Sequence, residues 1–467
     1  MSKYPNNSTV MYFDSLLLRS LFGWPHAYNY CCTSFAMSLW SSRFVSLILR
    51  NFHCRRCGHQ LLGQFRLYSS DGIVKRIAKS QPVQRLEKCM NVSAVTQTSL
   101  STVARMQKGQ NRSLSRYEHL EFDDVEEAAE KALACPAVRR FIVNPDLAKT
   151  VVNCLDPNLA DSNAVIFECN PGPGTLTKAL LNAGAQRVVA LEGENNFLPE
   201  LQSLENHLNG RLEVVHCDFF RLDPITTGVI RPPAMCTTKL FHDLGISEVS
   251  WNDDVPVKAV GIFGQTHERN MLWKLVYALY ERISIYRYGR IELVMFMSEK
   301  EYLKLIAQPG YIKNYRALSV LWQIACEIEL LHKEPLSSFV ISSGSGQLGV
   351  RKSKLPNDNL CLVRLTPHKN LFSGALTPDN AMTFLVMIKQ CFAKRSAKLV
   401  NRLNDWCPGC GPEIIKQLNL PPHIIVGHMF PEDFKRLFEA MEHSKEFGHS
   451  WLYNEVLVYT HRTEFLI

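Results

Sequence analysis

Residues 165–174 read Val-Ile-Phe-Glu-Cys-Asn-Pro-Gly-Pro-Gly, and this stretch decides the fold class. The apolar residues before Glu168 predict a buried parallel strand, and the Gly/Pro turn leads into residues 175–184, whose pattern predicts a helix. A strand that passes through a glycine turn to a helix N-terminus is how α/β folds hold the polar part of a nucleotide-like ligand. Asn170 stands where a common nucleotide-binding loop has glycine, which indicates an altered site.

The segments on either side of this stretch alternate between strand and helix. This alternation predicts an α/β fold with a parallel, doubly wound sheet. Residues 221–256 interrupt it with prolines and glycines, and we expect them to form a long surface insertion. The predicted strands span residues 187–191, 212–216, 258–263, 290–297, 326–332, 338–341 and 360–365, and the predicted helices span residues 123–134, 146–155, 197–208 and 271–282.

The C-terminal part of the chain has a helical pattern from residue 377 onward. A basic helix is predicted over residues 392–403, and an amphipathic helix is predicted over residues 431–444. The whole pattern therefore predicts an α/β domain over residues 121–366, followed by a small C-terminal helical domain over residues 367–467.

The N-terminal region has the composition of a mitochondrial presequence. Residues 1–70 contain seven basic side chains and a single acid, together with serines and large apolar residues. An alternative start at Met37 would make residues 1–36 an upstream extension. We predict a mitochondrial transit peptide over residues 1–68 and a basic flexible tail over residues 69–120. No stretch reaches about 18 uninterrupted apolar residues, so no membrane anchor is expected.

Charge and cysteine content narrow the class of protein. The 467 residues are 46% hydrophobic and 21% charged, which are the proportions of a folded protein rather than a disordered one. The net charge of +8 suits a polyanion partner such as nucleic acid. The 15 cysteines are scattered, which predicts reduced thiols. The pairs Cys54/Cys57 and Cys407/Cys410 lack the context of a zinc finger or a thioredoxin-like motif, so no metal site is predicted.

Three features that follow in order along the α/β unit predict an adenosine-binding site. The missing Cβ atoms of Gly172 and Gly174 would let a ligand approach the backbone. Glu192 ends the next predicted strand, where a carboxylate can accept hydrogen bonds from ribose hydroxyls. Asp218 ends the following strand and would reach an adenine amino group. Each acid taken alone could equally be a helix cap or a solvated residue, and only the combination favours the ligand site.

The kind of adenosine ligand follows from the form of the turn. A dinucleotide-binding dehydrogenase would have the pattern G-x-G-x-x-G, which this turn does not have. An acid at Glu168 and a shorter glycine turn suit S-adenosylmethionine, a cationic ligand without a pyrophosphate. A negatively charged Glu168 side chain would face its sulfonium and amino groups.

Three motifs resemble those of the rRNA adenine dimethyltransferases. Residues 139–145, Arg-Arg-Phe-Ile-Val-Asn-Pro, resemble the family's opening motif Q-N-F-L-x-D-P, and residues 168–177 resemble its loop E-I-G-P-G-x-G-x-L-T. Residues 392–399 resemble its F-x-Q-R-R-K-x-L helix, so that the likeness extends over residues 135–445. The resemblance implies a Rossmann-like class I S-adenosylmethionine methyltransferase fold. It also implies that S-adenosylmethionine is held by Ile142, Gly172, Gly174, Glu192 and Asp218.

The chain departs from the family where the target base is bound. Active members end one strand with N-L-P-Y, in which the asparagine and a backbone carbonyl bind the adenine amino group. Isoleucine, which replaces that asparagine, cannot accept a hydrogen bond, and positioning of the attacking nitrogen supplies much of such a rate. We therefore expect cofactor binding with weak or lost methyl transfer, and we assign no catalytic residue. The matching strand end is Ile262, Phe263, Gly264 and Gln265, and the other departures are Asn170 for glycine, Arg139 for glutamine and Arg140 for asparagine.

Other stretches resemble a mitochondrial branch of the family that serves in transcription, the transcription factor B branch. They are residues 216–220, His-Cys-Asp-Phe-Phe, and residues 228–235, Gly-Val-Ile-Arg-Pro-Pro-Ala-Met. This resemblance implies a transcription initiation factor in the nucleoid of the mitochondrial matrix. It would help the mitochondrial RNA polymerase and an HMG-box factor to melt promoter DNA and hold the start site. The alternative is an active S-adenosylmethionine-dependent dimethyltransferase of adjacent adenosines in mitochondrial small-subunit rRNA.

Binding of melted DNA requires basic groups for the backbone and aromatic groups for unstacked bases. The candidates are the basic tail and the face of the predicted basic helix. A solvated basic face is an equally good interpretation of that helix from its composition. The face comprises Lys394, Arg395, Lys398 and Arg402.

Overall fold

The computed structural model describes residues 119–156, 158–208, 210–224, 228–264, 267–343, 358–447, 450 and 452. All of them belong to one unit of the chain. The predicted transit peptide, the Cys54/Cys57 pair, the predicted tail up to residue 118 and Gln265 lie outside the described residues. Within the described ranges, none of the helices combines the length and the apolar character that crossing a bilayer requires.

The described part of the chain contains nine strands: β1 (Arg140–Phe141), β2 (Val165–Cys169), β3 (Val188–Glu192), β4 (Leu212–His216), β5 (Val257–Ile262), β6 (Glu292–Ser298), β7 (Cys326–Pro335), β8 (Val340–Ile341) and β9 (Asn359–Pro367). Seven of them form one sheet in the order β4-β3-β2-β5-β6-β9-β7, and β1 pairs with β8 separately. The first five run parallel, whereas β9 is antiparallel to both of its neighbours. This topology confirms the predicted α/β fold with a Rossmann-like, doubly wound sheet.

Twelve helices are found in the described residues, and local sequence sets their ends. The α2 helix begins after Asn144, whose side chain accepts a hydrogen bond from the Asp146 N–H, and Pro145 occupies its first turn. The helices are α1 (Val125–Leu133), α2 (Pro145–Leu155), α3 (Thr175–Asn182), α4 (Leu198–Glu205), α5 (Thr237–Asp243), α6 (Glu268–Glu281), α7 (Glu299–Leu305), α8 (Ala317–Ala325), α9 (Ala381–Ala393), α10 (Leu399–Trp406), α11 (Gly411–Gln417) and α12 (Pro431–Glu442).

The two faces of the sheet belong to different apolar clusters, because successive side chains of a strand point to opposite faces. On β2, Ile166 packs in the cluster that contains Leu180 of α3, and Phe167 packs in the cluster that contains Trp322 of α8. The cluster that contains Phe167 and Trp322 also contains Phe438 of α12. The C-terminal helices therefore share a continuous core with the sheet.

The predicted surface insertion at residues 221–256 is partly buried, so this expectation was wrong for its central part. It contains α5, in which Phe241 is fully buried and stacks on Tyr288 at a ring distance of 4.0 Å. Trp251 is also buried. The burial of this segment could not be predicted from the sequence, because its short apolar groups between prolines show neither a helical nor a strand period.

The predicted basic helix over residues 392–403 was also wrong as a single element. The α9 helix ends at Ala393, and α10 begins at Leu399. Between them the backbone bonds to a neighbouring segment: the Gly427 N–H donates to the Arg395 carbonyl at 2.9 Å, and the Leu399 N–H donates to the Ile424 carbonyl at 2.9 Å. These tertiary hydrogen bonds replace those of a continuous helix.

One pair of the described cysteines departs from the expectation of reduced thiols. Cys407 and Cys410 are joined to each other between α10 and α11. Eight other cysteines of the described residues are free, and most of them are buried.

Candidate functional site

The glycine turn lies at the carboxyl end of β2, between its neighbours β3 and β5, where the direction of strand order reverses. Crevices at such a point are the usual ligand sites of open α/β sheets. Gly172 and Gly174 have left-handed φ angles of +63° and +84°. A Cβ atom on Gly172 would lie 2.5 Å from Cδ1 of Phe141, so this glycine is required by both backbone angle and space.

Glu192 ends β3 and is completely buried beside this turn. Its Oε1 accepts hydrogen bonds from Nη1 of Arg139 at 2.7 Å and from the Glu194 N–H at 2.7 Å. Its Oε2 accepts from the Gly172 N–H at 2.8 Å and from Nη2 of Arg139 at 3.2 Å. A carboxylate has about four lone-pair positions, so these four donors use its capacity to accept hydrogen bonds.

Arg139 is held on several sides. Its Nη2 also donates to the carbonyl oxygen of Asn170 at 2.7 Å, and its guanidinium lies 4.8 Å from the ring centroid of Phe141 and 5.7 Å from that of Phe197. Burial by itself would lower the pKa of Arg139, but the charge of Glu192 and its hydrogen bond raise the pKa above its ordinary value. Arg139 is therefore a buried, charged partner of Glu192.

Asn170 connects the turn to the next strand end. It has a left-handed φ of +57°, which asparagine tolerates better than most residues. Its Nδ2 donates to Oδ1 of Asp218 at 3.1 Å, and its Oδ1 accepts from the Gly193 N–H at 3.2 Å. Asp218 also caps the turn that follows it, because Oδ1 accepts from the Phe220 N–H at 3.0 Å. Asn170, which follows β2, therefore connects the end of β3 to the end of β4.

Glu168 differs from the expectation of a charged group facing a ligand. It is 1% exposed, and its Oε2 accepts a hydrogen bond from Oγ1 of Thr177 at 2.6 Å. Burial raises its pKa to about 8; the hydrogen bond from Thr177 opposes this, and the charge of Glu192 adds to it. A pKa near 8 favours the protonated form of Glu168 at neutral pH, whereas the sequence predicted a charged group facing a ligand.

The end of β5 is apolar. Ile262 is half-buried against the core, and Phe263 is 1% exposed. Near them, Nη1 of Arg140 pairs with Oε1 of Glu268 at 2.9 Å, and the Ser298 N–H donates to the same oxygen at 3.2 Å. The two arginines of the opening motif thus bind two different buried glutamates.

The structure brings most of the predicted cofactor residues together. Gly172 and Glu192 are in contact, and Asp218 is joined to them through Asn170. Ile142 lies in the apolar core, and its cofactor role stays a prediction. Sequence reasoning missed the contact of Arg139 with Glu192; the only signal for it was an arginine where the family motif has a neutral glutamine.

S-adenosylmethionine does not fit these residues in the arrangement observed. The carboxylate oxygens that would accept its ribose hydroxyls accept from Arg139 and from backbone N–H groups instead. Among the residues that the structure describes, no group of three or more His, Cys, Asp or Glu side chains is placed to hold a metal ion.

Comparison with known proteins gives a family match over most of the folded region. The model of the ribosomal RNA adenine dimethylase family matches residues 138–441. Mitochondrial dimethyladenosine transferase 2 of Bos taurus is 47% identical over 320 residues, which are 68% of this chain and 81% of the relative. The Homo sapiens protein of the same name is 45% identical over 323 residues, again 68% and 81%. A solved dimethyladenosine transferase of Plasmodium falciparum aligns with a TM-score of 0.42 and 17% identity, over 63% of this chain and 94% of that one.

Proposed function

Because this chain belongs to the ribosomal RNA adenine dimethylase family, we propose that it is a mitochondrial transcription initiation factor built on a methyltransferase scaffold. It acts with the mitochondrial RNA polymerase and an HMG-box factor to melt promoter DNA and hold the start site. Methyl transfer to adenine is weak or lost. The resemblance of residues 216–220 and 228–235 to the transcription factor B branch supports this role.

The end of β5 is the observation that carries the proposal. An adenine amino group needs an acceptor there, and the side chain of Ile262 offers none. Phe263 is packed into the core and cannot supply a base-binding group. Without an acceptor the nitrogen is not held in the attacking orientation, and positioning of this kind contributes a large share of a catalysed rate. A family member with this strand end has a use for its fold other than efficient dimethylation.

A basic surface around the turn between α9 and α10 supports binding to nucleic acid. Lys394 and Lys398 are exposed there, while Arg395 is half-buried and donates to the carbonyl of Ile312. Arg316 donates to the carbonyl of Lys313, so the two guanidinium groups bind the carbonyls of adjacent residues. Burial lowers the pKa of Arg395, and the charge of Arg316 lowers it further. We call these residues the basic turn surface: Lys313, Arg316, Lys394, Arg395 and Lys398.

The basic turn surface has an exposed aromatic residue beside it. Tyr311 is 71% exposed and lies one residue before Ile312, which accepts the hydrogen bond from Arg395. Lysines and arginines bind phosphates of any sequence, and an exposed aromatic ring can stack on an unpaired base. Arg402, which the sequence predicted on the same face, instead pairs with Asp405, with 3.5 Å between Nη1 and Oδ2. We do not include it in the basic turn surface.

The location follows from the relatives and from the N-terminal sequence. The relatives from Bos taurus and Homo sapiens are named as mitochondrial proteins. Residues 1–70 have the basic, acid-poor composition of a presequence. Both observations support a location in the mitochondrion, and the proposed role in transcription would place the protein in the nucleoid of the matrix.

The second candidate function is dimethylation of adjacent adenosines in mitochondrial small-subunit rRNA. Glu192 and Asp218 favour it, because both acids remain at the strand ends where the family holds its cofactor. The relatives are also named as dimethyladenosine transferases. Ile262 opposes it for the reason given above.

A reconstituted run-off assay tests the primary function. Polymerase and HMG-box factor are supplied with a promoter in duplex form and with the same promoter already opened over the start site. We expect transcription from the duplex to require this protein, and transcription from the opened promoter to require it much less. The double variant Lys394→Glu/Lys398→Glu should lower duplex initiation by about tenfold or more, since it reverses two phosphate-binding charges.

The matched control reverses two exposed lysines elsewhere on the molecule, Lys149→Glu/Lys239→Glu, and should initiate like the wild type. Their side chains are 59% and 65% exposed. The same preparations are incubated with S-adenosylmethionine and a small-subunit rRNA hairpin. The proposal fails, and the second candidate stands, if duplex transcription does not depend on the protein while the hairpin is dimethylated.

A further inference from the structure

Both acids that the family resemblance assigns to the cofactor are bonded to residues of this chain. The oxygens of Glu192 take both outer nitrogens of Arg139, at 2.7 Å and 3.2 Å. Asp218 takes the side-chain amide of Asn170 at 3.1 Å. Arg139 and Asn170 are in turn bonded to each other, since Nη2 of Arg139 donates to the Asn170 carbonyl at 2.7 Å. The four residues form one connected network across the ends of β2, β3 and β4.

From this network we infer that the guanidinium of Arg139 takes the place of ribose hydroxyls on Glu192. An adenosine ligand then has to displace Arg139 before it can bind. S-adenosylmethionine and S-adenosylhomocysteine therefore bind to the protein only in competition with this side chain. This inference does not rest on the proposed role in transcription.

The chemistry favours Arg139 over the ligand in this competition. Hydrogen bonds to the carboxylate are charge-assisted with either kind of donor, but only the guanidinium also brings an opposite charge to the buried Glu192. The fork of the guanidinium also matches the carboxylate geometry. The ring of Phe141 beneath it adds a cation–π contact at 4.8 Å. A nucleoside would have to replace all of these contacts.

The backbone of Arg139 is anchored, so only the side chain can move away. Its N–H donates to Oγ of Ser342 at 3.0 Å, and the next residue pairs with Ile341 in the β1–β8 ladder. The side chain itself is 14% exposed, whereas that of Glu192 is 0% exposed. Arg139 is therefore the partner that lies nearer to solvent, and it is the side chain that would move when a ligand binds.

The test measures binding of S-adenosylhomocysteine to the whole protein by isothermal titration calorimetry and by its effect on Tm. Arg139→Gln removes the charge and should lower the Kd at least about tenfold relative to wild type. It should also give a rise in Tm with ligand that exceeds the rise in wild type. Arg139→Lys keeps the charge, which protects the fold, but it cannot bind both oxygens as a fork; it should lower the Kd by a smaller factor.

Arg140→Gln is the matched control. Arg140 is the next residue and is mostly buried too, and its Nη1 lies 2.9 Å from Oε1 of Glu268. Glu268 does not belong to the network of Glu192, so this variant removes a buried arginine charge without changing the partners of Glu192. Its Kd for S-adenosylhomocysteine should equal that of wild type. An unchanged or weaker affinity in both Arg139 variants overturns the inference, as does an equal gain in Arg140→Gln. None of these measurements uses polymerase or DNA, so their failure would leave the proposed function untouched.

Discussion

At the carboxyl edge of the sheet, β3 ends in Glu192 and β4 is followed two residues later by Asp218, whereas the neighbouring β5 ends in Ile262 followed by Phe263. The first pair keeps the polar groups of a nucleoside site but bonds them to Arg139 and Asn170. The second pair has no polar side-chain group. We call the end with Glu192 and Asp218 the reconnected half, because its acids are kept but bond to other residues of the chain. We call the end with Ile262 and Phe263 the replaced half, because its polar residues have been exchanged for apolar ones.

The difference between the halves concerns what a single substitution can reverse. In the reconnected half, the acceptors are present and are covered by the side chains of Arg139 and Asn170, so removing Arg139 frees two of the four acceptor positions of Glu192. In the replaced half, an acceptor would have to be introduced into a half-buried apolar position, where an unpartnered polar group is unfavourable. Ligand binding is thus more readily regained than base positioning.

The largest effect is expected from Arg139→Met, which keeps length but removes the charge. The buried Glu192 would lose two of its four donors and its counter-charge. Breaking a buried ion pair by removing one partner costs about 3–5 kcal/mol. The free energy of unfolding, measured in urea at neutral pH, should fall by that amount.

The exposed pair of Lys239 and Asp243 provides the comparison for this variant, with side chains 65% and 49% exposed. Lys239→Met should change the free energy of unfolding by less than about 1 kcal/mol. If the two variants lose equal stability, the pair of Arg139 and Glu192 is not the buried, mutually dependent unit described above.

Glu168→Gln should change how stability depends on pH. The folded-state pKa of Glu168 is about 8 against an ordinary 4.5, so this carboxyl takes up a proton on folding. At pH values between 4.5 and about 8, unfolding releases that proton. A rise in pH across this range therefore destabilises the wild type. From pH 6 to pH 8, the wild type should lose about 2 kcal/mol more than the variant.

Two outcomes of denaturation at pH 6 and pH 8 would contradict this prediction. Parallel pH curves for wild type and Glu168→Gln would mean that Glu168 is ionised in the fold. A wild type that gains stability relative to the variant as pH rises would contradict it as well, because a raised pKa can only make the wild type lose stability over this range. Glutamine keeps an acceptor for Oγ1 of Thr177, so the hydrogen bond at 2.6 Å should not confound the comparison.

The reconnected half also shows what the sequence could and could not predict. The strand, the glycine turn and the positions of Glu192 and Asp218 follow from local patterns, because apolar runs and left-handed glycines are local properties. The partner of Glu192 is Arg139, 53 residues earlier in the chain. No local period encodes a contact over that separation.

The broken basic helix illustrates the same limit in the C-terminal region. Composition over residues 392–403 favours a helix, and the ends of that stretch are indeed helical. Its middle is set by hydrogen bonds from Val426 and Gly427 to Ala397 and Arg395. Tertiary hydrogen bonds of this kind override propensity, since propensities differ by less than about 1 kcal/mol per ordinary residue.

The smallest effect on binding is expected from Ile262→Asn, which introduces an acceptor into the replaced half. The position is half-buried in the apolar cluster around β5, so we expect a stability loss of about 1–3 kcal/mol from lost packing and an unpartnered amide. The affinity for S-adenosylhomocysteine should change by less than about twofold. Glu192 would still be covered by Arg139 in this variant, and calorimetry on the whole protein measures this directly.

Ile262→Val separates packing from polarity in this comparison, because it removes one methylene and adds no acceptor. Its expected stability loss is about 0.5–1.5 kcal/mol, with no change in affinity. If Ile262→Asn instead tightened ligand binding as much as Arg139→Gln, the two halves would be coupled through β2, which pairs with both β3 and β5. If the halves are independent, the gain in affinity appears only when Arg139 is changed, because among the residues that the structure describes it is the one whose side chain bonds to Glu192.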